Sequence, residues 1–115
     1  METLTIEVAT DAQINARIVQ AVERNEPQPP GYFFDTEEAL LDTLTSNRFA
    51  ILKALAGAGP IGVRELSRRV GRDVRAVHAD AQRLALIGLI DKTPNGKLHF
   101  PYDGVHLELN WRVAA

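Results

Sequence analysis

Apolar positions along the chain change period several times, and each change predicts an element. In "TLTIEV" (Thr3–Val8), Leu4, Ile6 and Val8 alternate with polar residues, the period of two expected of a half-buried strand. From Asp11 onward, Ile14, Ile18 and Val22 recur at helical spacing with Ala21 beside them, and Asp11 is a candidate N-cap. "PQPPGY" (Pro27–Tyr32) stops that helix, because three prolines and a glycine in six residues make a stiff, extended connection. It marks a boundary between an N-terminal strand–helix arm, residues 1–30, and a main domain, residues 31–115.

The main domain begins with a helical period. In "DTEEALLDTLTSNRFAILKALAGAG", Leu40, Leu41 and Leu44 mark one short helix. Phe49, Ile51, Leu52 and Leu55 mark a second, with Ser46 or Asn47 as its cap and Gly57 and Gly59 at its end. "VRELSRRV" predicts a short helix with Val63, Leu66 and Val70 inward, broken by Gly71. Asp73 then caps a longer helix over about Val74 to Ile87.

After that the period returns to two. "LIDKTPNGKLHF" places Pro94-Asn95-Gly96 between apolar ends, a strong hairpin signal. "PYDG" is a second turn, and "VHLELNWRV" alternates with Val105, Leu107, Leu109, Trp111 and Val113 on one face. Three C-terminal strands are expected, with Thr3–Val8 available to cover an edge. The fold class expected is mainly α with a small β-sheet (α+β).

Composition narrows the function classes. A chain of 115 residues, 45% apolar and 24% charged, suits one globular domain with at most a small appendage. No cysteine is present, which removes disulfides and thiolate metal sites and fits a reducing cytoplasm. No basic start followed by an apolar run opens the chain, so no signal peptide is expected. No apolar run reaches the ~18 residues of a membrane span.

Charge is divided unevenly. Residues 1–47 carry two arginines (Arg17, Arg24) and nine acids, a net of −7; residues 48–115 carry eleven basic residues and six acids, a net of +5. A basic surface attracts polyanions. Six arginines fall within the twenty residues that begin at Arg64.

Two constellations carry no chemistry. "GAGPIG" (Gly57–Gly62) matches a dinucleotide-binding pattern by letter, but a helix precedes it and Pro60 interrupts it, so a turn is expected. His78, His99 and His106 lack metal-ligand spacing. Neither a catalytic site, a cofactor site nor a metal site is expected.

The arginine-rich stretch does carry one. Two short helices joined by a glycine turn have the helix–turn–helix form. At about 100° per residue, Val74, Val77, Ala81, Leu84 and Gly88 make the core stripe of the second helix. Arg72, Arg75, Ala79, Gln82 and Arg83 lie opposite, with His78 at the edge. Arginine matches guanine edges, glutamine matches adenine, and alanine lets a helix approach the groove floor. Arg64, Arg68 and Arg69 on the preceding helix are placed to meet phosphates, and Lys92 and Lys97 flank the hairpin tip, where they would reach backbone phosphates or a minor groove. Asp80 sits on the flank and is expected to pair with an arginine. A helix–turn–helix followed by a hairpin is a winged helix, and double-stranded DNA is the expected partner. A winged-helix protein-interaction module with an incidentally basic face is the alternative.

The stretch "LTSNRFAILKALAGAGPIGVRELSRRVGRDVRAVHADAQRLALIGLIDKTPNGKLHFPYD" resembles the MarR/ArsR-like winged helix-turn-helix regulators of bacteria and archaea. The likeness runs from about Tyr32 to Arg112, and "GRDVRAVHAD" and "FPYD" are its specific parts. It implies a recognition helix over Val74–Ile87, a wing over Asp91–Phe100, and repression of transcription in the cytoplasm. It also implies that the chain is similar to the DNA-binding antitoxins of toxin–antitoxin pairs, with a cognate toxin as a partner. No ligand domain or redox cysteine accompanies these parts. A homodimer is expected, since two half-sites call for two-fold symmetry. Thr3–Val8 and the stripe Ile14, Ile18, Val22 would supply its surface, and the acidic arm would serve either dimerisation or the toxin.

Overall fold

The alternation in the first strand leads to the middle of a sheet. The computed structural model describes residues 2–111. In it β1 (Thr3–Val8) lies between β2 (Gly31–Phe34) and β5 (Gly104–Glu108), parallel to both. The strand expected to cover an edge, and to offer a dimer surface, therefore has both of its own edges filled. It does cover an edge of β5, the third of the expected C-terminal strands, while the edge of the hairpin is taken by Ile61. Ile61 exchanges backbone hydrogen bonds of 2.9 and 2.8 Å with Leu98.

Strand β2 follows directly from the proline segment that was expected to be only a connection. Two prolines already hold the backbone extended, and the Thr5 N–H donates to the Pro30 carbonyl at 3.1 Å. The register Ile6↔Tyr32 and Val8↔Phe34 then puts apolar residues on the inner face. "GYFF" has no alternation to announce a strand.

The inner face carries Leu4 and Ile6, both buried, with Phe34, Tyr32 and Val105 beside them. Thr5, Glu7, Phe33, His106 and Glu108 occupy the outer face by the same alternation. Helix α1 (Asp11–Arg24) links β1 to β2, and its Arg17 pairs with the buried Glu7 and lies 6.0 Å from the centre of the Phe33 ring. Its N-cap is Thr10 rather than Asp11. Thr10 and Gln13 bond reciprocally as a capping box, an arrangement Asp11 cannot form with the same turn. No residue of α1 is buried, and Ile18, Val19 and Val22 face outward.

The rest is a helical layer closed by a hairpin. Helix α2 (Glu37–Thr43) is capped by Thr36, and α3 (Ser46–Leu55) by Thr45, one residue before the expected Ser46. Helices α4 (Val63–Val70) and α5 (Val74–Leu86) have the predicted bounds to within a residue. Ile51, Leu52, Leu55, Leu66, Val77, Ala81 and Leu84 pack with Leu4, Ile6, Leu98 and Phe100 in one cluster. The result is a mixed α/β molecule. No described helix is long and apolar enough to cross a membrane.

β3 (Asp91–Lys92) and β4 (Leu98–His99) pair antiparallel as a sheet of their own, so the three C-terminal strands do not form one sheet. In the turn, Thr93 N–H donates to Lys97 O at 2.8 Å and Gly96 N–H to Thr93 O at 2.9 Å. Only Gly96 takes a positive φ, 83°. The turn is thus longer than the two-residue type that would need both Asn95 and Gly96 left-handed. Strand β5 ends at Glu108, short of the alternation that runs to Trp111, and Val113 lies outside the described residues.

Candidate nucleic-acid interface

A glycine and an aspartate set the angle between α4 and α5. Gly71 ends α4 in the left-handed region, φ 69°, where a side chain would be strained. Ser67 Oγ donates to the Arg72 carbonyl and pins the turn. The Asp73 carboxylate accepts from the Arg75 and Ala76 N–H groups at 3.1 and 3.4 Å, so its charge is spent on the helix end. Val77, Ala81 and Leu84 are buried, as their spacing predicts, and Gly88 instead ends the helix with φ 80°.

The outward face of α5 presents Arg75, His78, Ala79 and Gln82. Arg75, His78 and Ala79 are exposed, and no described residue forms an ion pair with Arg75. His78 Nε2 lies 3.1 Å from Gln82 Nε2, one helical turn on. Beside them a hollow of about 170 Å³ is lined by Val63, His78, Ala81, Gln82, Lys92, Gly96 and Leu98. That hollow joins the helix face to the hairpin, so His78, Gln82 and Lys92 share one surface. Lys97, near the hairpin tip, is exposed and unpaired among the described residues.

The remaining arginines are placed less freely than their spacing implied. Arg72 is half-buried: its Nη1 lies 2.9 Å from Asp80 Oδ2, and Arg48 Nε donates to Asp80 Oδ1 at 3.1 Å. Arg48 also donates to the Thr43 carbonyl at 3.1 Å. Asp80 thereby fastens α5 to the ends of α2 and α3 and to the interhelical turn. Arg72 belongs to this clamp, so the expectation that it faces outward is corrected. Arg72 precedes the Asp73 cap, so the helical wheel does not fix its direction, and its side chain turns along α5 to Asp80. Arg83 is exposed but near Tyr32, whose hydroxyl donates to the Ile87 carbonyl at 2.7 Å. Burial raises the Tyr32 pKa and the Arg83 charge opposes that shift.

On α4, Arg64 is exposed without an ion pair among the described residues, while Arg68 and Arg69 both bind Glu65, at 2.6 and 3.2 Å. Hydrogen bonds from Arg68 and then Arg69 hold the Glu65 carboxyl below the usual carboxylate range. One outward residue of α5 was not singled out from sequence: Leu86 is 78% exposed in the last turn. An apolar residue opposite the core stripe was the available signal.

Two predictions arise here. Asp80→Asn leaves two half-buried guanidinium groups without their counter-charge and should lower stability by about 1–2 kcal/mol, after allowance for solvent screening. Urea melts measure it, and an unchanged midpoint would mean the clamp contributes nothing. Glu65→Gln should release Arg68 and Arg69. Non-specific duplex binding should strengthen and its log–log salt slope steepen by about one unit. An unaltered slope would place α4 away from phosphates.

Residues 43–107 match the family HVO_A0114. No curated protein matches the chain. The matched span covers α3, α4, α5, the hairpin and most of β5.

Proposed function

We propose that this chain, which belongs to the HVO_A0114 family, is a sequence-specific DNA-binding transcriptional regulator, a repressor of the MarR/ArsR-like winged helix-turn-helix kind. Helix α5 reads the major groove and the β3–β4 hairpin is the wing. The observation that carries this reading is the hollow where the His78–Gln82 pair meets Lys92 of the hairpin, on a helix that also exposes Ala79 and an Arg75 without an ion pair among the described residues. It offers donors, acceptors and a small residue, the mixture that base-edge reading uses. Arg64 and Lys97 extend its positive charge on either side, where phosphates fix register without reading sequence.

The regulator acts in the cytoplasm as a homodimer on two half-sites. A protein partner of the kind an antitoxin has would cover α1, where Ile18, Val19 and Val22 stand exposed beside the acids of the N-terminal part. Binding to random and selected duplexes, titrated at several salt concentrations, tests the reading. Affinity should fall linearly with salt on a log–log plot and remain higher for the selected duplex. Absence of salt-sensitive binding would leave the surface as a protein-docking face, the alternative.

A further inference from the structure

The two edges of the parallel sheet are protected very differently. Strand β2 is only four residues long and is entered through Pro29 and Pro30, both common means of blocking edge pairing. Strand β5 is one residue longer and is not entered directly through proline. Residues 104–110, "GVHLELN", contain no lysine, no proline and no cysteine. Leu107 within the strand and Leu109 just past its end are each 41% exposed. Bare edges of this kind invite another strand.

The sequence of that edge also selects its partner. On the outer face Glu108 stands beside Glu7 of β1 in register. Glu7 is answered by Arg17, but no described residue forms an ion pair with Glu108. His106, two residues back on the same face, is exposed and likewise unpaired among the described residues. A strand carrying a histidine and a glutamate two positions apart is self-complementary when it meets a copy of itself running the other way.

We propose that β5 pairs antiparallel with β5 of a second copy, with the two-fold axis at Leu107, so that the two three-stranded sheets become one six-stranded sheet. In this register Leu107 opposes the second copy's Leu107, and Val105 opposes its Leu109. His106 opposes its Glu108, and this ion pair occurs twice by symmetry. Moving the axis to Glu108 sets carboxylate against carboxylate, and moving it to His106 sets histidine against histidine. A one-residue shift opposes apolar to polar residues throughout. Of these registers, the Leu107 one alone sets apolar against apolar and also makes an ion pair.

This inference deepens the homodimer of the proposed function by naming its surface. It is tested without DNA, so failure of pairing and failure of DNA binding are separate results. The chain's lack of cysteine makes crosslinking clean. Under mild oxidation Leu107→Cys should form a covalent dimer, because directly opposed Cα atoms lie about 4.5–5.5 Å apart, within the span of a disulfide. Val105→Cys and Leu109→Cys should each fail alone and succeed when combined in one chain. His106→Glu should weaken self-association roughly tenfold by setting like charges opposite each other twice, and adding Glu108→Lys should restore it. Sedimentation gives both affinities, and thermal melts confirm that each variant is folded. A folded wild-type chain that stays monomeric at about 100 µM would overturn the proposal. So would crosslinking of Leu109→Cys alone in preference to Leu107→Cys, or a double charge variant no tighter than the single one.

Discussion

Ile6→Ala is expected to destabilise the fold by about 2–5 kcal/mol, a large part of the stability of a small domain. Ile6 lies outside residues 43–107, the part that matches the family. It is nevertheless fully buried, and it shares its cluster with Leu52, Leu55, Leu84 and Phe100. Truncation to alanine removes the transfer energy of the lost methyl and methylene groups. It also opens a cavity that the middle strand of a sheet cannot collapse into, because β1 is held on both edges. Urea melts of the wild type and the variant measure the effect. Thr5→Ala, one position along on the outer face, is the control and should cost far less. Equal midpoints for Ile6→Ala and wild type would mean that β1 is dispensable. The same reasoning shows why deletion of residues 1–30 is a poor probe of partner binding. It removes Leu4 and Ile6 from the core, so any loss of binding would follow from loss of the fold.

The parts of the structure legible in the sequence are those whose causes are local. Gly71 at a helix end, Asp73 before the next helix and the spacing of Val77, Ala81 and Leu84 each act within a turn or two, and α4 and α5 fall where these residues put them. The hairpin around Gly96 is of the same kind. Strand β2 and the order of the three-stranded sheet are not. Parallel pairing joins residues tens of positions apart, and no period in "GYFF" says which strand it will meet. A helix wheel has the same blind spot. It carries α5 back to Arg72, which lies in the turn before the helix and pairs with Asp80, and it does not contain Arg48, the second cation on that carboxylate. The closure of Arg68 and Arg69 on Glu65 is, by contrast, local, since i, i+3 and i, i+4 spacing on one helix allows it to be read from sequence. Arg75, at the start of α5, is exposed in both views and without an ion pair among the described residues.

That makes Arg75 the decisive residue for the proposed function. The N-terminal end of a recognition helix is the part that enters the major groove, and Arg75 is the second residue of α5. Its backbone N–H is held by Asp73 at 3.1 Å while its side chain is uncommitted. The guanidinium therefore breaks no internal bond on meeting a guanine edge. Arg75→Ala should weaken binding to the specific operator by roughly 1–3 kcal/mol and binding to scrambled duplex by much less. Lys97, near the hairpin tip, is the contrasting case. A lysine on a phosphate carries charge without base preference, so Lys97→Ala should weaken both duplexes about equally and flatten the salt slope by about one unit. Neither side chain is buried or paired among the described residues, and both melts should match the wild type. Titrating both variants on operator and scrambled duplex across a salt series separates the two roles. If Arg75→Ala retains full operator affinity with a normal melt, α5 does not read bases. The free arginine at its start must then serve a different contact.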